Sequence, residues 1–211
     1  MEESGVLARP ITSRSVVQIH PLLLKKMAKR VFLVHGWGGS PETDFFVWLT
    51  KELRSKGFEV HALEMPNTEY PVIEEWVPTL EKAVGKPDKE TYFIGHSIGC
   101  QAIMRYLEKI DVQVGGALFV AGWFNLANLE EGELKIAQPW IENPINFKKL
   151  KGNVGKITLL ISDNDPYGCL DENVKIFKDK LGANILIKHN AEHFNNPKYD
   201  FILDGFLKLV E

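Results

Sequence analysis

Three short stretches hold the residue types from which an activated nucleophile could be built. Ser97 sits in Gly95-His96-Ser97-Ile98-Gly99, Asp163 and Asp165 in Ser162-Asp163-Asn164-Asp165-Pro166, and His189 and His193 in His189-Asn190-Ala191-Glu192-His193-Phe194. A serine hydroxyl attacks a carbonyl only when a base takes its proton, and an imidazole is an effective base when a carboxylate holds its tautomer. The chemistry these residues could perform is acyl transfer through a covalent intermediate.

The setting of Ser97 is that of a nucleophile elbow. An apolar run, Tyr92-Phe93-Ile94, precedes Gly95-x-Ser97-x-Gly99, and Gln101 to Leu107 follows with helical spacing. Strand, sharp turn and helix in that order lift the serine hydroxyl clear of a sheet, with glycine two residues to either side where the turn leaves no room. Ile98 then offers a backbone N–H at a helix start, where amides are unpaired and negative charge is favoured. A second such donor is expected from His35-Gly36-Trp37-Gly38-Gly39-Ser40, a glycine-rich loop after the apolar run Val31–Val34, with the Trp37 N–H as the candidate. The same loop could be read as the start of a dinucleotide site, with Glu64 as the ribose-binding acid, but Pro41 stands where that fingerprint needs its third glycine.

The acid and the base follow in chain order, each after an apolar run: Leu159–Ile161 before the aspartates and Ile185–Ile187 before the histidines. Asp165 is preferred to Asp163, and His193 to His189, which still belongs to a strand end. His20, His61 and His96 have no evident partner in the sequence and read as structural or surface residues. His189-x-x-Glu192-His193 also matches an inverted zinc-peptidase pattern, but that site needs both histidines on one helix face, and Asn195-Asn196-Pro197 leaves no room for a helix. No metal or cofactor is called for.

Positioning these residues requires alternating strands and helices. Strands are expected at Val31–Val34, Phe58–Leu63, Tyr92–Ile94, Ala117–Val120, Ile157–Ser162 and Asn184–Lys188, and helices at 44–56, 72–84, 98–110, 171–181 and 198–210. Such alternation builds right-handed βαβ units around a mainly parallel sheet with helices on both faces, a three-layer α/β fold in one domain spanning 30–211. The ~35 residues from Gly122 to Lys156 are the only stretch long enough for a small cap. Their Trp123, Phe124, Trp140 and Phe147 are candidates both for an apolar acyl pocket and for core packing. Residues 1–29 differ: polar to Arg14, with an edge-strand candidate at Ser15–Ile19 and a short amphipathic turn at Pro21–Ala28. They read as a dispensable extension.

The chain has 211 residues, 45% hydrophobic and 25% charged, with a net charge of −3, which gives no electrostatic reason to expect nucleic acid or an anionic membrane as partner. No apolar run approaches the ~20 residues of a membrane span. The two cysteines, Cys100 and Cys169, suit neither a metal site nor a disulfide framework and favour a reducing, cytoplasmic setting.

Taken together, Arg30–Gly39, Gly95–Gly99, Ser162–Pro166 and Glu192-His193-Phe194, with Met65-Pro66, Met104-Arg105-Tyr106 and Pro139-Trp140, resemble the small, nearly lidless α/β-hydrolases of the retinoblastoma-binding serine hydrolase type over about Lys29 to Val210. In that family the acid directly before proline belongs to the triad, which implies Asp165. The resemblance implies hydrolysis of small carboxylic esters, or of aminoacyl amides, with a small-molecule ester or amide as substrate. The chain differs from the family in its N-terminal extension and in His35, where proline also occurs. A competing expectation is an interaction protein on a hydrolase scaffold with vestigial catalysis. The Leu-x-Cys-x-Glu peptide associated with pocket-protein binding is absent around both cysteines, and no protein partner can be named.

Overall fold

Six strands form one wholly parallel sheet: β1 Arg30–Val34, β2 Glu59–Leu63, β3 Thr91–His96, β4 Val114–Val120, β5 Val154–Ser162 and β6 Asn184–Lys188, in the order β2-β1-β3-β4-β5-β6. The structure, a computed structural model, describes residue 1 and residues 28–211. The expected edge strand Ser15–Ile19, His20, and all but the last residue of the expected turn Pro21–Ala28 lie outside the described residues.

The inner strands are dominated by apolar residues because both faces are covered, while the edge strands β2 and β6 are partly exposed. Val31 and Leu33 of β1, Tyr92 and Ile94 of β3 and Leu118 and Val120 of β4 pack with α1 (Phe46–Ser55) and α7 (Asp200–Val210). The alternate residues Phe32, Val34, Phe93, Ala117 and Phe119 pack on the other face with α2 (Ile73–Val84) and α3 (Ile98–Leu107). The chain therefore leaves β1 towards one face and β3 towards the other, and these two strands are neighbours. A crevice opens at the carboxyl ends of strands wherever adjacent connections diverge in this way. Here it brings the Gly36–Gly39 loop beside Ser97.

Several bounds differ from the expectations for local reasons. Asp44 adopts a left-handed φ of 49° and stands outside α1, which begins at Phe46. β4 starts at Val114 and runs through Gly115 and Gly116, where a Cβ on Gly116 would lie 2.8 Å from the Lys156 carbonyl oxygen and 2.5 Å from Leu209. The expected helix 171–181 is two pieces, α6 (Leu170–Ile176) and a wider π-helical turn over Phe177–Leu181.

The segment 122–156 holds two helices that periodicity did not indicate, α4 (Glu131–Glu142) and α5 (Phe147–Gly152). Gly132 and Pro139 inside α4 lower its helix propensity. Its start is compensated by a capping box between Glu130 and Glu133. Its end is held by Arg105 of α3, whose buried Nη2 donates to the carbonyls of Trp140 (2.6 Å) and Asn143 (2.8 Å). The Trp140 indole donates to the Pro71 carbonyl at 3.0 Å and meets Trp76 edge-on, so α4 is pinned across the top of α2 and α3.

Candidate active site

Ser97 is the residue between β3 and α3, with φ 52° and ψ −121°. A non-glycine residue in that region costs about 1–3 kcal/mol and persists only where the surroundings over-determine it. Here the Ser97 N–H donates to the Val120 carbonyl at 2.9 Å and the Ser97 carbonyl accepts from the Cys100 N–H at 3.0 Å. The two flanking glycines are required by close approach. A Cβ at Gly95 would lie 2.9 Å from the Cys100 nitrogen, and one at Gly99 would press on the carbonyl oxygens of Val34 and His35. Helix α3 thus docks backbone-to-backbone on β1, which sets Ser97 next to the loop after that strand.

The loops after β5 and β6 are fastened together residue by residue. Ser162 Oγ accepts from the Ala191 N–H (3.1 Å), Asp163 Oδ1 from the Asn190 N–H (3.0 Å) and Asn164 Oδ1 from the Glu192 N–H (2.9 Å). Asp165 Oδ2 then meets His193 Nδ1 at 2.8 Å, while its Oδ1 accepts from the Tyr167 N–H at 3.0 Å. Asp163 Oδ2 is bonded instead to His189 Nδ1. The two aspartate–histidine pairs differ in setting. The side chains of His193 and Asp165 are 12% and 10% exposed, whereas His189 is 85% exposed. Hydrogen bonds from Asn190 and His189 hold the Asp163 carboxyl below the ordinary carboxylate range. The segment 189–193 is built of turns, and its two histidines answer to different aspartates, so the helix face that a zinc site would need is not formed.

Ser97, His193, Trp37 and Ile98 line one cavity of about 440 Å³. Among the described residues the backbone N–H groups of Trp37 and Ile98 have no hydrogen-bond partner. The Trp37 indole is anchored on the Glu69 carbonyl at 2.9 Å, which fixes the loop that carries its amide. His35 is buried; its Nδ1–H donates to the Gly36 carbonyl (2.8 Å) and its Nε2 accepts from the Met65 N–H (3.2 Å). Burial lowers its pKa, so this imidazole is a neutral brace under the loop.

Of the four aromatic residues expected as pocket candidates only Trp123 lines the cavity. Trp140 is buried against Trp76, and Phe124 packs with Phe147 and Phe177. The apolar wall is made with Leu126, Leu129, Ile136 and Ala137, from α4 and the loop before it. Sequence reading missed these aliphatic residues, for which the apolar spacing within 126–137 was the available signal. It also missed Tyr167, whose ring meets His193 edge-on at 4.9 Å. The polar wall carries Thr43, Asp44, Glu69 and Asn195, and Glu133 stands at the α4 side; among the described residues no Lys or Arg lines the cavity.

A serine on a strained turn at a helix N-terminus, lining one cavity with an imidazole held by a carboxylate, is a constellation suited to nucleophilic acyl transfer. Fold and site together define an α/β-hydrolase. Residues 31–199 match the serine hydrolase family, and the chain belongs to it. It is 37% identical over 99 residues to the putative hydrolase YdeN of Bacillus subtilis, an alignment covering 46% of this chain and about half, 52%, of that protein. It is 29% identical over 166 residues to the serine hydrolase RBBP9 of Rattus norvegicus, covering 78% and 81% of the two chains. The crystal structure of the B. subtilis ydeN product superposes with a TM-score of 0.79 at 23% identity, over 86% of this chain and 98% of that one. A monoacylglycerol lipase of Paleococcus ferrophilus superposes with a TM-score of 0.64 at 17% identity, over 86% and 93%. The protein is a hydrolase enzyme of the serine class. Among the described residues no helix is long and apolar enough to cross a membrane.

Proposed function

We propose that the protein hydrolyses small carboxylic esters through a Ser97–His193–Asp165 triad and an acyl-enzyme. The observation that carries this reading is the Asp165–His193 hydrogen bond at the wall of the cavity that Ser97 also lines. With Nδ1 engaged by Asp165, the other ring nitrogen of His193 is left to take the Ser97 proton. Ser97 attacks the ester carbonyl, and the N–H groups of Ile98 and Trp37 receive the oxyanion, a contribution of ~3 kcal/mol per donor. The imidazolium then protonates the departing alcohol, and water releases the acyl group by the same steps in reverse.

The apolar wall of Trp123, Leu126, Leu129 and Ile136 suits a short hydrocarbon group, and the carboxylates Asp44, Glu69 and Glu133 disfavour anionic substrates. The resemblance to RBBP9 supports placing the chain near that type of serine hydrolase. In this reading the nucleophile, the base and the oxyanion donors are all supplied by the chain's own side chains and backbone. A cytoplasmic setting accords with two free cysteines.

The test is labelling by a fluorophosphonate probe followed by turnover of nitrophenyl esters of increasing chain length. Wild type is expected to label and Ser97→Ala to remain unlabelled. Equal labelling of the two proteins would remove Ser97 from the mechanism.

A further inference from the structure

His96, the residue between Gly95 and Ser97, projects from β3 to the α1/α7 face, where Phe45 meets it edge-on at 5.5 Å and Phe46 lies at 6.4 Å. Its Nε2 lies 2.7 Å from the main-chain carbonyl of His193, and the two imidazoles are 5.1 Å apart. A carbonyl can only accept, so Nε2 carries the proton. Nδ1 is then a lone pair. It is buried without a partner among the described residues, with Asp44 Oδ2 at 4.0 Å and Gly36 so close that a Cβ there would lie 3.2 Å away. Burial first, and then repulsion from His193, lowers the His96 pKa to about 3, so the ring stays neutral and this tautomer persists through the neutral pH range.

The loop that His96 grips is a strained one. Asn190, Glu192 and Phe194 take φ of 54°, 49° and 62°, so left-handed residues stand on both sides of His193. Each is a strained conformation that persists only where the surroundings over-determine it. Ser162, Asp163 and Asn164 hold the loop up to Glu192 from the β5 side. Asp165 fixes one nitrogen of the His193 ring and Tyr167 packs against that ring, but both contacts are to the side chain and not to the His193 main chain. From the β3 side, it is His96 that holds the His193 backbone. We propose that His96 is a positioning residue, whose Nε2–H anchors the His193 carbonyl and so sets the base at the right height over Ser97. The inference rests on the triad reading. It ties nucleophile and base through adjacent residues, 96 and 97, so a shift of one carries the other.

The test compares His96→Gln, whose amide reaches as far and can donate, with His96→Met, which has the same reach and no donor. Gln is expected to keep most of the turnover. Met is expected to lose ~100-fold in kcat, the scale of an ångström-sized misplacement, with KM little changed and a thermal midpoint matching that of Gln. His96→Asn, whose amide falls short of the carbonyl, replaces Met should that protein not fold, with the same expectation. The fluorophosphonate reaction rate should follow kcat across the series. Equal turnover of Gln and Met, high or low, would overturn the positioning role. A wild type that fails to label would instead refute the triad reading itself, which keeps the two failures apart.

Discussion

The Asp165 carboxylate and the His193 imidazole meet at 2.8 Å across the ends of β5 and β6, while Asp163, two residues earlier, holds His189 at the surface. The shared loop clamp makes this division of labour testable. Asp165→Asn should keep the fold and lower turnover on the order of 10⁴-fold, the scale seen when the orienting carboxylate of a serine protease is converted to its amide. Asp163→Asn keeps an oxygen able to accept from the Asn190 N–H, and its partnership with His189 is exposed and screened by solvent, so kcat should stay within about fivefold of wild type. Turnover of a short-chain nitrophenyl ester by the two variants decides the point. A severe loss confined to Asp163→Asn would move the triad to the other aspartate.

The docking of α3 on β1 predicts a sharp contrast between glycines. Gly99→Ala places a methyl group against backbone oxygens that cannot move aside, and should cost about 3 kcal/mol or more. Gly132→Ala on α4 meets nothing within 4 Å and should stabilise by about 0.5–1 kcal/mol through helix propensity. Thermal unfolding of both proteins measures the difference. A Gly99→Ala protein as stable as wild type would contradict the backbone-to-backbone packing.

Buried neutral histidines give stability a defined dependence on pH. The pKa of His96 falls from 6.5 to about 3 on folding, and that of His35 is also lowered, both by burial. Between those values the unfolded chain binds more protons than the folded one, so stability rises with pH. It should be fully present above about pH 6.5 and decline as the pH falls towards 3. His96→Gln should reduce the slope in that window and leave a smaller one from His35. An unchanged slope in His96→Gln would show that His96 does not hold its neutral form in the fold.

The carboxylates of the cavity predict selection by charge. With Asp44, Glu69 and Glu133 lining the space and no Lys or Arg opposing them among the described residues, a neutral acyl ester should exceed its carboxylate-bearing analogue in kcat/KM by about tenfold or more at low salt. Glu69→Gln should narrow the gap, and added salt should do so in wild type. A preference that ignores both changes would assign the discrimination to shape.

The sheet was legible because inner strands covered on both faces must be apolar, and Val31–Val34 and Leu159–Ile161 announce themselves by that alone, while the partly exposed edge strand Asn184–Lys188 shows only its Ile185–Ile187 run. The elbow was legible for a related reason: glycine at 95 and 99 is a steric demand that composition records. The chain by itself thus determined the parallel α/β architecture and the strand ends at which Ser97, the two aspartates and the two histidines lie. Helices α4 and α5 stayed hidden. What holds α4 is Arg105 and the Trp140–Pro71 contact, partners more than thirty residues away, and its own Gly132 and Pro139 argue against a helix. The partner of each histidine, the aliphatic cavity wall and the grip of His96 on the His193 carbonyl were likewise decided only by tertiary structure. Each depends on where a side chain points after two or three loops have converged, and the physical reason is that a hydrogen bond is set by distance and direction in space, neither of which residue order records.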